Sequence, residues 1–126
     1  MKDRILVVDD EAALTRMVKL NLEKTGQYEV RTENQGTMAI AAVREFKPDL
    51  ILLDVMMPDM TGDDIAAALK EDPQLKDIKY IFMTAIVTKE ETEATGSEIG
   101  GNVFLAKPVK TDELIGAIRK VLGKDQ

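Results

Sequence analysis

At 126 residues, 44% apolar and 32% charged, the chain is long enough to bury one ordinary core and too apolar to stay unfolded. Its net charge of −6, without a basic cluster or a tryptophan, argues against a nucleic-acid surface. Having neither cysteine nor histidine, it lacks disulfides, thiolate and imidazole metal ligands, and the usual general base, so chemistry falls to Asp, Glu, Lys, Ser and Thr. Met1-Lys2-Asp3-Arg4-Ile5 carries an acid and no long apolar run, unlike a signal peptide. No apolar stretch approaches the ~18–20 residues of a membrane span. The expectation is one cytoplasmic domain over residues 1–126, with Met1 as a natural start.

Ile5-Leu6-Val7-Val8 is an aliphatic, partly β-branched run that ends in Asp9-Asp10-Glu11, and it predicts the first strand. Leu14, Met17, Val18 and Leu22 recur at helical spacing, which predicts a helix over Glu11 to Thr25 with Gly26 beyond its end. Tyr28 to Thr32 predicts a second strand. Ala39, Ile40, Ala42, Val43 and Phe46 form the apolar stripe of a helix from Thr37 to Phe46, closed by Pro48. The central strand follows, Asp49 to Leu53. Its run Leu50-Ile51-Leu52-Leu53 has no polar alternation, the pattern of a strand buried on both faces. Asp54 comes directly after it, either a strand stop or chemistry.

Beyond the Pro58–Thr61 turn and Gly62, Asp63 to Lys70 predicts a helix with acids in its first turn, ended by Pro73. Tyr80 to Thr84 predicts the fourth strand. Thr88-Lys89-Glu90-Glu91 has the form of a capping box and opens a helix to Glu98, poor in apolar residues and therefore expected to be locally unstable. Val103-Phe104-Leu105 predicts the fifth strand, followed by Lys107-Pro108 and a last helix capped by Thr111 with the stripe Leu114, Ile115, Ile118, Val121 and Leu122. Strands alternating with helices on short connections imply βαβ units. The fold class is therefore α/β: a single doubly wound parallel sheet with helices on both faces.

Parallel strands deliver their ends to one edge, where ligands bind. Asp9 and Asp10 follow the first strand, Asp54 the third, Thr84 ends the fourth and Lys107 follows the fifth. Converging carboxylates repel, so they take up protons or bind a cation. Oxygen donors without His or Cys select Mg²⁺ or Ca²⁺-like ions. An Asp beside such an ion can attack phosphorus and form an aspartyl phosphate. The transferring group then needs counter-charge from a lysine and a hydroxyl donor, roles that Lys107 and Thr84 can supply. Each motif alone has a blander reading: Asp9-Asp10-Glu11 as a helix N-terminus, Thr84 as a strand residue, Lys107 as a solvated loop charge.

Taken together, the acidic pair Asp9-Asp10, the segment Leu52-Leu53-Asp54-Val55-Met56-Met57-Pro58 with Gly62, the pair Thr84-Ala85 and Lys107-Pro108 resemble a receiver domain of two-component response regulators, the family that includes the chemotaxis receiver. The resemblance covers Arg4 to about Leu122. It implies a flavodoxin-like (βα)5 fold with strand order 2-1-3-4-5, the order of the chemotaxis receiver itself. It further implies Asp54 as phosphoacceptor, and Mg²⁺ (or Mn²⁺) held by Asp10, Asp54 and the Met56 backbone carbonyl, with Asp9 acting mainly through water. Thr84 would bond the phosphoryl group, Lys107 would pair with it, Phe104 would be the aromatic switch, and Lys107–Pro108 would be a cis peptide with Pro108. The implied donor is a histidine kinase or histidine phosphotransfer protein. The implied output surface is the face made by the helix from Thr88, the Val103–Leu105 strand and the last helix, acting on a further partner without direct contact to nucleic acid or membrane. Apolar Met56 and Ile86, neither able to orient an attacking water, imply slow self-dephosphorylation. Such a chain promotes its own phosphorylation and dephosphorylation but turns over no external substrate.

Three other readings share parts of the pattern. A flavodoxin-like flavin carrier needs a phosphate loop after the first strand and flanking aromatics, whereas this chain has acids there and only three Phe and two Tyr. A dehalogenase-type phosphatase needs a second acid two residues after the nucleophile, where Met56 stands. A non-phosphorylated scaffold is the third.

Overall fold

The aliphatic runs become strands, in a computed structural model that describes residues 2–85, 98–99 and 102–123. In chain order these residues form β1 (Asp3–Val8), α1 (Ala12–Glu23), β2 (Tyr28–Glu33), a 3₁₀ turn (Gly36–Met38), α2 (Ala39–Phe46), β3 (Leu50–Asp54), α3 (Gly62–Glu71), β4 (Lys79–Thr84), β5 (Glu98–Ile99), β6 (Asn102–Ala106) and α4 (Thr111–Val121). The sheet order is β2-β1-β3-β4-β6-β5. β2, β1, β3, β4 and β6 are mutually parallel. With the short β5 set aside, they follow the expected 2-1-3-4-5 order.

Side chains that alternate along the strands divide the core in two. Ile5, Val7, Leu50 and Leu52 meet Val18 and Leu22 of α1 and Leu114 and Ile118 of α4 on one face. On the other, Leu6, Val8, Ile51 and Leu53 meet Ala42 and Val43 of α2 and Ile65 and Leu69 of α3. All four aliphatic residues of β3 are fully buried, each contributing roughly 1.5–3 kcal/mol of hydrophobic stabilisation. The unalternating run is thus explained by helices on both sides.

Three local expectations are corrected. Glu98 does not end a helix: Glu98 and Ile99 pair antiparallel with Val103 and Asn102. Thr111 is the first helical residue of α4 rather than its cap. Lys110 takes the cap position with extended backbone (φ −80°, ψ 148°), and Glu113 Oε1 accepts the Lys110 N–H at 3.4 Å. The helix expected from Thr37 starts at Ala39, after the 3₁₀ turn. Ile86 and nearly all of the helix expected from Thr88 lie outside the described residues.

Candidate functional site

The carboxyl edge of the sheet is where the ladders stop. β1 pairs with β3 as far as Val8↔Leu53, so Asp9 and Asp10 stand just beyond the last paired residue. Asp54 is the final residue of β3, in register with Met83, one place further along than the sequence expectation. Thr84 ends β4 opposite Ala106. The next residue on β6's side, Lys107, donates its backbone N–H to the Thr84 carbonyl at 2.9 Å. β3 and β4 thus supply Asp54 and Thr84 from their last residues, and the connections after β1 and β6 supply Asp9, Asp10 and Lys107.

Lys107 Nζ draws them together. It lies 2.7 Å from Asp9 Oδ2, 3.2 Å from Asp54 Oδ1 and 3.4 Å from Glu11 Oε1. The Glu11 N–H donates to Asp9 Oδ1 at 2.9 Å, and the Met56 N–H to Asp54 Oδ1 at 3.4 Å. Asp9, Asp54 and Thr84 are buried at 0%, 3% and 2% exposure, while Asp10 is exposed. Burial first, and then the charge of Asp9, push the Asp54 carboxyl up to about 6, against the opposing pull of Lys107 and the Met56 N–H. Burial alone would lower Lys107, but its bonds to Asp9 and Asp54 outweigh that and hold the ammonium above its ordinary value.

Asp9, Asp10 and Asp54 each offer a carboxylate oxygen within 4.8 Å of the other two. This donor set is all hard oxygen, and one lysine does not satisfy its charge, since Asp54 is still driven toward protonation. Both features fit a hard divalent ion such as Mg²⁺. The hollow above them, about 370 Å³, is lined by Asp10, Glu11, Asp54, Met56, Ala85 and Lys107. The Met56 side chain is 61% exposed there. Acids on this rim repel a flavin phosphate, and a flavin-binding reading is not favoured.

Phe104 is not part of the acid cluster. It sits in β6, half-buried, its ring stacked on Phe82 with centroids 5.1 Å apart. The Lys107–Pro108 peptide is cis.

Glu11, which the motifs did not single out, and Gly62, which they did, also shape the site. Glu11 joins the lysine through its side chain and Asp9 through its N–H. The acid adjacent to Asp9-Asp10 was itself the available signal. Gly62 approaches so closely that a Cβ there would lie 2.6 Å from the Asp54 carbonyl oxygen, which gives the glycine of the motif its physical reason.

The chain matches the response regulator receiver domain over residues 5–119. It is 37% identical over 125 residues to the DNA-binding response regulator MtrA of Mycolicibacterium paratuberculosis, covering 99% of this chain and 53% of that protein. It is 38% identical over 118 residues to the phosphate regulon transcriptional regulatory protein PhoB of Pseudomonas aeruginosa, covering 94% of this chain and 51% of that one. The chain thus spans about half the length of these curated relatives. Among solved structures, the chemotaxis protein CheY4 of Vibrio cholerae superposes with a TM-score of 0.80 at 30% identity, over 96% of this chain and 99% of that one. With its sheet order, its acidic strand ends and a match over nearly its whole length, the chain belongs to the response regulator receiver domains, the phosphoryl-accepting modules of two-component signal transduction.

Proposed function

We propose that Asp54 is the phosphoacceptor of this receiver and that Asp9, Asp10, Thr84 and Lys107 serve its phosphorylation. The observation that carries the reading is the convergence of Lys107 on Asp9 and Asp54 at 2.7 and 3.2 Å beside a third carboxylate. An Asp54 oxygen attacks the phosphorus of a phosphohistidine in a histidine kinase or histidine phosphotransfer protein. The O–P bond forms, the P–N bond breaks, and the imidazole leaves with its electron pair and takes up a proton. Asp10, Asp54 and the Met56 carbonyl would hold Mg²⁺ (or Mn²⁺), with Asp9 acting mainly through water. When bound, the ion neutralises charge on the transferring oxygens. Lys107 leaves its carboxylate partners to pair with the new phosphoryl group, and the Thr84 hydroxyl donates to it. Phe104 follows Thr84 inward, and the rearranged surface around β6 and α4 signals to a further partner. The chain acts in the cytoplasm and processes no external substrate.

Two of its relatives are named as a DNA-binding and a transcriptional regulator. With a net charge of −6, this domain itself is not a DNA-contacting surface.

The test is incubation with acetyl phosphate and Mg²⁺ followed by intact mass. The expected result is a gain of one phosphoryl group that disappears in Asp54→Asn. No gain in the native chain with Mg²⁺ present overturns the proposal.

A further inference from the structure

The sheet ladders stop short of the two loops beside the carboxylate cluster. The β1–β3 ladder ends at Val8↔Leu53 and the β1–β2 ladder at Val8↔Glu33, leaving Asp9 and Asp10 on one connection and Met56 to Thr61 on another. The Asp9 and Asp10 carboxylates lie within 4.8 Å of that of Asp54, which β3 holds in register with Met83, so the placement of the first connection sets their spacing, while the second carries the Met56 carbonyl.

One short segment touches both. The Asn34 amide donates to the Asp9 carbonyl at 2.8 Å and to Thr15 Oγ1 at 3.0 Å. Thr15 is itself buried and donates to the Ala12 carbonyl. With the Asp9 N–H on the Glu33 carbonyl at 3.0 Å, both backbone groups of Asp9 are tied to the end of β2. Two residues further on, the Gly36 and Thr37 N–H groups donate to the Asp59 carboxylate at 3.3 and 3.1 Å. These bonds hold the Asp59 carboxyl below its usual range. Gly36 is also packed on the second loop, since a Cβ there would lie 2.8 Å from the Met60 carbonyl oxygen.

We propose that Asn34 and Asp59 are positioning residues that clamp the Asp9–Asp10 loop and the Met56–Thr61 loop to the Asn34–Thr37 turn, and so set the spacing of Asp9, Asp10 and the Met56 carbonyl around the Mg²⁺ site. The inference rests on the proposed phosphoacceptor role of Asp54. Neither residue touches the ion or the phosphoryl group. Each fixes the main chain that carries those that do, and losing such outer support typically weakens metal binding 10–100-fold.

Calorimetric titration of the full chain with MgCl₂, alongside its phosphorylation by acetyl phosphate, tests the proposal. Asn34→Ala and Asp59→Ala are expected to weaken Mg²⁺ binding by about tenfold each and to raise the Mg²⁺ concentration needed for half-maximal phosphorylation. At saturating Mg²⁺ the mass gain at Asp54 should survive. Asp63→Ala removes an exposed acid from the start of α3 and is expected to leave affinity within about twofold, which separates loop positioning from a general loss of charge. Asp59 is exposed and its removal empties no core, so Asp59→Ala decides the matter even where Asn34→Ala folds poorly. Native affinity in Asp59→Ala, or an equal loss in Asp63→Ala, overturns the clamp while leaving the phosphoacceptor reading standing. A native chain that neither binds Mg²⁺ nor gains mass overturns both.

Discussion

Gly62→Ala places a methyl group 2.6 Å from the carbonyl oxygen of Asp54 and 3.2 Å from both the Asp54 carbonyl carbon and Val55 Cα. Ordinary C···O contacts lie near 3.3–3.6 Å, so about 0.7 Å of separation must be found. The obstructing atoms are backbone, at the end of the strand that carries the reactive carboxylate, and cannot rotate aside. The Gly62 N–H is also bonded to the Val55 carbonyl at 3.1 Å, so moving α3 away weakens that bond. Overpacking of this kind costs about 1–3 kcal/mol, and the better helix propensity of alanine returns about 0.5–1 kcal/mol. The expected net loss is about 1–2 kcal/mol in urea unfolding with an unchanged slope. Since a misplacement of about 1 Å can cost about 100-fold in rate, phosphorylation by acetyl phosphate should slow by roughly tenfold. Gly116→Ala is the internal control: a Cβ there meets nothing within 4 Å on the exposed side of α4, so this variant should gain about 0.5–1 kcal/mol. Native stability and a native rate in Gly62→Ala would refute the close-approach argument.

Mg²⁺ at ten times its dissociation constant should add about 1.4 kcal/mol to unfolding stability. Thermal melts should show the increment in the native chain and a smaller one in Asp10→Asn. Lys107→Ala leaves buried Asp9 and Asp54 without their shared cation and should lower metal-free stability by about 3 kcal/mol. Equal urea midpoints in EDTA would contradict the ion-pair geometry. The Asp54 carboxyl, raised from 3.8 to about 6, binds its proton more tightly folded than unfolded. The stability this contributes is fully present below about pH 4 and lost as pH rises through about 6. In EDTA, Asp54→Asn should therefore gain on the native chain between pH 4 and pH 8, and parallel stability curves would overturn the assignment. Val30 on edge strand β2 is capped by α1, its N–H on Glu23 Oε2 at 3.1 Å and its carbonyl on Lys19 Nζ at 3.0 Å. Replacing both residues by alanine should expose that edge and raise self-association in sedimentation velocity.

Much of this protein was legible before its structure. Aliphatic runs spaced by helical stripes dictate βαβ units, and parallel strands deliver Asp9, Asp54, Thr84 and Lys107 to one edge whatever the details of packing. The buried run Leu50–Leu53 needs helices on both faces, and α1 to α4 supply them. Local ambiguity limited the rest. Glu98 was expected to end a helix, and only the antiparallel pairing of Glu98–Ile99 with β6 placed it in a strand. Thr111 was the expected cap of the last helix, and the cap fell one residue before that hydroxyl, at Lys110.

Residue identity and order alone determined the parallel strands, their reactive edge and the chemical character of the site, because strand periodicity and crossover handedness are local rules. Tertiary structure alone decided how the charges are shared. Lys107 reaches Asp9 and Asp54 across the sheet, burial carries Asp54 up to about 6, and Asn34 and Asp59 tie loops 25 and 22–23 positions distant. Such contacts depend on where distant backbone comes to rest, and neither spacing nor propensity along the chain encodes that.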